Sequence, residues 1–85
     1  MPGNLFGRKL TPVEMASLID RFLEGKSLYP QEWNDFVESQ LRDKELDKFR
    51  KRCYELDPLV NRPAPPDEDA VHELRAIVRE LTKRN

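Results

Sequence analysis

Apolar residues in this chain recur at spacings of three and four, and this period constrains the fold more than any other feature. Over residues 12–24 the spacing places one set of side chains on a single helical face: Met15, Leu18, Ile19, Phe22 and Leu23. Such a stripe is typical of an amphipathic helix with one buried side. No segment alternates between apolar and polar residues over a useful length, so nothing indicates a β-strand. The sequence therefore predicts an all-α fold.

Four segments have helical character, which predicts a compact bundle of short helices at residues 12–24, 30–41, 43–56 and 67–83. Thr11-Pro12-Val13-Glu14 has the pattern of a capping box with proline at the first helical position. Gly25 is suited to the left-handed conformation that ends many helices. These signals set the bounds of the first helix.

Aspartates and prolines delimit the last two helices. Asp43 and Asp67 are the predicted N-caps. Asp57-Pro58 is expected to end the third helix, because the residue before a proline disfavours α geometry. The following segment to Pro66 is rich in proline and predicts an extended connector before the fourth helix. With 85 residues the chain has room for one small domain, which we place at residues 11–85 after a flexible N-terminal segment, residues 1–10.

The charge balance disfavours a nucleic-acid partner for the chain as a whole. Fifteen Lys and Arg against sixteen Asp and Glu leave a net charge of −1. A local basic excess occurs around the third helix, where the candidate nucleic-acid contacts are Lys44, Lys48, Lys51 and Arg52. Asp43, Glu45 and Asp47 at the start of the same helix are expected to repel phosphates, so a solvated face is the preferred interpretation.

Catalytic chemistry finds little support in the sequence. His72 falls on the polar side of its helix, and Cys53 lies in an apolar seam that suppresses the thiolate. One cysteine and one histidine are too few for a Cys/His metal site. Glu32, Asp35 and Glu38 suggest at most an acid/base pair or a weak Mg²⁺ site, and a solvated face explains them better. We therefore predict no enzymatic activity, no cofactor and no bound metal.

An apolar surface is expected near the N-terminus, because the stripe of the first helix is wide for so small a bundle. Its candidate residues are Leu5, Phe6, Leu10 and Met15. A surface of this kind favours a protein partner or a homodimer. No segment is apolar enough to cross a membrane, and the N-terminal residues lack the core of a secretion signal. With one unpaired cysteine, these features predict a cytoplasmic protein.

The central third of the chain carries a recognisable pattern. The segment Tyr29-Pro30-Gln31-Glu32-Trp33-Asn34-Asp35-Phe36 is followed by Arg42-Asp43-Lys44-Glu45-Leu46 and then by Arg50 and Cys53. This pattern resembles a group of small, uncharacterised bacterial helical proteins with a W-[DN]-D-F segment before an R-D-x-x-L helix, which has no known activity. This chain has Asn34 where the group prefers aspartate. The resemblance implies a helical fold in which Trp33 and Phe36 pack against Leu46, Phe49 and Cys53, with Asp35 exposed and paired with a basic residue such as Arg50.

Two functional hypotheses follow from these observations. The favoured one is a small non-enzymatic protein-interaction domain, such as an accessory, immunity-like or antitoxin-like protein. Small size and high mixed charge suit this role. The alternative is a weak nucleic-acid-associated regulator that uses the basic face of the third helix.

Overall fold

The computed structural model describes residues 10–84, and every regular element in that range is a helix. In chain order these are α1 (Pro12–Leu23), α2 (Glu32–Val37), α3 (Lys44–Val60) and α4 (Glu68–Lys83). The all-α prediction with four helices is therefore confirmed. The predicted segment 1–10 lies outside the described residues except for Leu10, which is partly buried.

Helix α1 begins at the predicted residue, Pro12, and ends at Leu23, one residue before the predicted end at 24. The Thr11 hydroxyl accepts a hydrogen bond from the Glu14 N–H at 3.1 Å, and the Glu14 carboxylate accepts one from the Thr11 N–H at 3.0 Å. Both halves of the capping box are thus present. After the helix, Gly25 has a φ of +71°, which a residue without Cβ adopts at low cost.

Helix α2 is much shorter than the predicted 30–41, because side chains from α3 take over its final hydrogen bonds. The Arg50 guanidinium donates to the Val37 carbonyl at 2.7 Å, and Asp47 accepts from the Leu41 N–H at 2.9 Å. These bonds satisfy backbone groups that a continuing helix would pair internally. The chain therefore leaves the helix at Glu38 and continues as the loop 38–43.

Helix α3 extends past the predicted end at residue 56 and includes Pro58. Proline removes one backbone hydrogen bond, so continuation of the helix needs compensation from elsewhere. The Trp33 indole N–H donates to the Asp57 carboxylate at 2.7 Å, and Val60 in the last turn is buried. These contacts hold the final turn against the core, and the expectation that Asp57-Pro58 ends the helix is wrong.

The N-caps of α3 and α4 are those predicted. Asp43 accepts hydrogen bonds from the Glu45 and Leu46 N–H groups, and Asp67 accepts one from the Ala70 N–H at 2.9 Å. Residues 61–67, which include three prolines, link the two helices.

The core is a continuous cluster to which all four helices contribute. Helix α1 packs mainly on α4, while α2 packs on α1 and α3. Trp33 is 2% exposed and stacks on Phe22 with ring centroids 4.1 Å apart. Phe36 and Cys53 are fully buried in the same cluster, and Phe49 packs against its edge.

Candidate functional site

An open groove lies between the loop 38–43 and the first half of α3. Its volume is about 600 Å³. We call it the lysine groove, and it is lined by Gln40, Leu41, Arg42, Lys44, Asp47, Lys48 and Lys51. It brings together three of the four residues proposed from the sequence as nucleic-acid contacts.

The three lysines of the groove form a ladder along one face of α3. Lys44, Lys48 and Lys51 stand at positions i, i+4 and i+7, which share a helix face. At about 1.5 Å of rise per residue the ladder is about 10 Å long. All three side chains are exposed, and Arg42 adds a fourth cation from the loop. Within residues 10–84, no carboxylate lies within 4.0 Å of these four cationic groups.

Arg52, the fourth candidate contact, does not belong to this groove. It follows Lys51 and therefore lies about 100° further round the helix. Its guanidinium binds the carboxylate of Glu73 on α4 and, at 2.9 Å, that of Glu55. The hydrogen bond from Arg52 lowers the pKa of Glu73 and outweighs the opposing effect of partial burial. Arg52 thus ties α3 to α4 and is the one candidate contact of the four that is not among the lining residues of the groove.

The acids that the sequence placed near the ladder are engaged elsewhere. The Asp43 carboxylate caps α3, and Glu45 lies 3.6 Å from Arg84. Asp47 is only 6% exposed and accepts hydrogen bonds from the Arg50 guanidinium at 2.8 Å and the Leu41 N–H. All three acids were expected to repel phosphates. Of the three, Asp47 should repel a phosphate least, because its charge is already shared with Arg50.

The Asp47–Arg50 pair shapes the wall of the groove. Burial acts to raise the pKa of Asp47, but the hydrogen bonds from Arg50 and Leu41 and the positive charges of Arg50 and Lys51 together bring it below the ordinary value. The same two side chains hold the Val37 carbonyl at the end of α2 and the Leu41 N–H in the loop. The pair therefore fixes the position of the loop from which Arg42 extends.

The structure gives Arg50 a different partner from the one that the resemblance implies. We expected it to pair with Asp35, but the Asp35 carboxylate accepts from the Tyr29 hydroxyl at 3.1 Å instead. The signal for the actual pair was present in the sequence as an i, i+3 Asp and Arg beside the apolar seam of α3. From the sequence alone, an Asp and an Arg at this spacing are expected to form an exposed ion pair on the helix surface. Only the tertiary structure shows that a loop covers the pair.

The acidic residues of α2 do not form the Mg²⁺ site or the acid/base pair that the sequence suggested. Glu32 is 3% exposed, lies 2.6 Å from the Arg21 guanidinium and accepts from the Leu28 N–H at 3.0 Å. The interpretation of Glu32 as part of a solvated face is wrong. In the range 10–84, no three His, Cys, Asp or Glu side chains cluster in a way that could hold a metal ion.

The predicted apolar interface is only partly described. Leu5 and Phe6 lie outside the described residues, and Leu10 packs against the core. Met15 is fully buried, because α4 covers the stripe of α1. Met15 is thus part of the core and offers no surface to a partner.

Two residues with nucleophilic or acid–base potential, Cys53 and His72, are not among the lining residues of the lysine groove. Burial raises the pKa of the Cys53 thiol to about 12. His72 is exposed on α4, away from the lysine groove. A protonated, enclosed thiol is a poor nucleophile.

A second open depression, of about 460 Å³, lies beside the loop between α1 and α2. Its wall includes Phe22, Tyr29 and Trp33, and Leu28 at its rim is 72% exposed. Asn34 and Asn61 close one side, joined by an amide hydrogen bond of 2.8 Å. Within residues 10–84, no charged residue lines this depression, in contrast to the lysine groove.

Comparison with family models, curated proteins and solved structures found no match for this chain. No helix within residues 10–84 is long and apolar enough to cross a membrane.

Proposed function

We propose that this chain is a small, non-enzymatic protein-interaction domain that binds its partner through the lysine groove. The carrying observation is the set of four cations, Arg42, Lys44, Lys48 and Lys51, that line one groove without an ion pair among the described residues. Other charged side chains nearby, such as Arg52 and Glu45, have partners within the fold. Asp47 is the one acid among the described lining residues; it acts on Lys51 but shares its charge with Arg50. The surplus of cations in the groove favours an acidic ligand from outside.

The support for a binding role also comes from the rigidity of the site. Three of the cations stand on a helix of 17 residues, and the fourth extends from a loop held by the buried Asp47–Arg50 pair. Side chains on such a frame lose little backbone freedom when a partner docks. An accessory, immunity-like or antitoxin-like role in the bacterial cytoplasm suits a domain of this kind.

Site-specific crosslinking in cells tests this proposal. A photo-crosslinking residue replaces Lys48 in one variant and Lys83, an exposed lysine on α4, in the control. We expect a discrete crosslinked protein from position 48 that is absent from position 83 and is lost when Lys44 is also changed to glutamate. Equal crosslinking at the two positions, or none at position 48, would contradict a partner in the groove.

A second candidate function is the weak nucleic-acid-associated regulator. The ion pair of Asp47 with Arg50 supports it, since the pair partly offsets the one carboxylate among the groove's described lining residues. The engagement of Arg52 with Glu73 and the net charge of −1 count against it. A gel-shift titration at low and high salt separates the two, because a polyanion held by lysines must show a shift at low salt.

A further inference from the structure

We infer that the partner element received by the lysine groove is an acidic amphipathic α-helix that lies along α3. This inference rests on the proposed function and names the chemistry of the partner at the same site. It follows from the spacing of the lysines, from the apolar floor of the groove and from the side chains that the groove lacks.

The spacing of the ladder matches a helical partner. Lys44, Lys48 and Lys51 recur once per turn of α3, and a turn advances about 5.4 Å. A partner helix with carboxylates at its own i, i+4 and i+7 positions repeats at the same interval. Packed side by side, the two helices therefore place each ammonium opposite a carboxylate.

The groove also offers a ligand an apolar contact beside the charges. Leu41 lines the groove with only 7% of its surface exposed, so most of the apolar surface there comes from the aliphatic stems of the lysines. An amphipathic helix meets both demands, because an apolar residue one position round from the acidic ladder reaches Leu41. A purely acidic coil offers only the charges.

Nucleic acid fits the same groove less well. Among the described residues no aromatic side chain lines it, so within that part of the chain bases have no ring on which to stack. Only one of its four cations is an arginine, the residue that grips phosphate with two parallel hydrogen bonds. Gln40 is the one lining side chain that combines an amide donor and acceptor suited to a base edge.

The test is an NMR titration of the full chain with two synthetic peptides of about 18 residues. The ladder peptide has Glu at i, i+4 and i+7 with Leu on the adjoining face, and the scrambled peptide has the same composition without that register. We expect the ladder peptide to bind at least fivefold more tightly, with the largest shifts at Leu41, Lys44, Lys48 and Lys51. Equal affinities would refute the helical ladder.

Matched charge reversals locate the interaction. Lys44→Glu/Lys48→Glu is expected to weaken the ladder peptide at least tenfold. The control Lys26→Glu/Lys83→Glu changes the net charge equally at exposed sites outside the groove and is expected to leave affinity within twofold. Circular dichroism of each variant checks that the fold is kept. Equal losses in the two variants would contradict a site-specific contact.

Further arms separate this inference from the proposed function. If position 48 still crosslinks a protein in cells but neither peptide binds, the acidic helix is refuted while the interaction role stands. If both results are negative, the proposed function fails as well. A duplex or single-stranded oligonucleotide that binds more tightly than the ladder peptide, through the same lysines, would overturn the inference in favour of a nucleic acid.

Discussion

Replacement of Arg50 by methionine tests whether the buried Asp47–Arg50 pair holds the end of α2 and the wall of the lysine groove. In the wild type, Arg50 donates to Asp47 at 2.8 Å and to the Val37 carbonyl at 2.7 Å. Methionine occupies a similar volume but donates no hydrogen bond. The variant therefore leaves a carboxylate that is only 6% exposed without its counter-charge.

The expected loss is large for a domain of this size. Removal of one partner from a buried ion pair costs about 3–5 kcal/mol, most of it the penalty on the charge left behind. The total stability of an 85-residue chain is roughly 4–13 kcal/mol. At a urea dependence of about 1 kcal/mol per molar, the unfolding midpoint should fall by about 3 M or more.

Urea unfolding followed by Trp33 fluorescence and by circular dichroism measures this loss. The double variant Asp47→Asn/Arg50→Met removes both charges, so we expect it to be more stable than the sum of the two single losses predicts, with a coupling of about 1–3 kcal/mol. Arg79→Met, at an exposed position on α4, is the control and should stay within about 0.5 kcal/mol of wild type. Additive losses, or an Arg50→Met midpoint equal to that of the control, would refute the role assigned to the pair.

Three further predictions concern single residues. Trp33→Ala removes a ring that is 2% exposed and should cost about 3–5 kcal/mol, seen as a collapse of the thermal transition; a wild-type melting temperature would place the ring outside the core. The pKa of Asp47 is lower in the folded chain than in the unfolded chain, where it is about 3.9. The ionised group therefore stabilises the fold above about pH 4, and this contribution disappears as pH falls through the folded-state pKa. Asp47→Asn should flatten the dependence of unfolding free energy on pH in that acid range, and an unchanged slope would contradict the shift. Cys53, fully buried with its thiol pKa raised to about 12, should react with a thiol reagent slowly in native protein and rapidly in urea, whereas fast native labelling would mean an accessible thiolate.

The parts of the fold that depend on neighbouring residues were predictable from the sequence. The capping box at Thr11, the N-caps Asp43 and Asp67 and the turn at Gly25 all form as their local patterns indicate. In each case the hydrogen-bond partners, or the required φ, lie within a few residues. Local sequence therefore contains the whole cause.

The ends of α2 and α3 were not predictable in this way, since distant side chains decide them. Arg50 terminates α2 from 13 positions away, and Trp33 supports the last turn of α3 from 24 positions away. Periodicity alone extended α2 too far, and the local rule for proline stopped α3 too early. In both cases a tertiary hydrogen bond outweighs the local preference.

The candidate site was half predictable for the same reason. The lysine ladder is a local pattern on one helix, and its three lysines are the members of the four predicted contacts that share the groove. Whether a neighbouring charge has a partner depends on distant residues, which local sequence does not show. Arg52, for example, pairs with Glu73 on α4, 21 positions away. Which cations remain without a counter-charge emerges only when the helices are packed.

The lysine ladder should lower the stability of the free protein, and this gives a last prediction. Like charges at i, i+4 or i, i+3 destabilise a helix by about 0.2–0.5 kcal/mol per pair, and opposite charges stabilise it by a similar amount. At these spacings Lys48 has the like charges Lys44, Lys51 and Arg52 and the opposite charge Glu45, and Arg52 is neutralised by Glu73. With about one like-charge pair left uncompensated, Lys48→Gln should stabilise the domain by about 0.2–0.5 kcal/mol at low salt, with the gain fading at high salt as the repulsion is screened. Lys26→Gln, in the loop after α1, is the control and should show no such salt-dependent gain. An acidic partner in the groove would remove this repulsion, so the gain from Lys48→Gln should be smaller when the ladder peptide is bound. A Lys48→Gln variant that is less stable than wild type at low salt would mean that the ladder is already neutralised within the fold, and the argument for an external acidic partner would lose its basis.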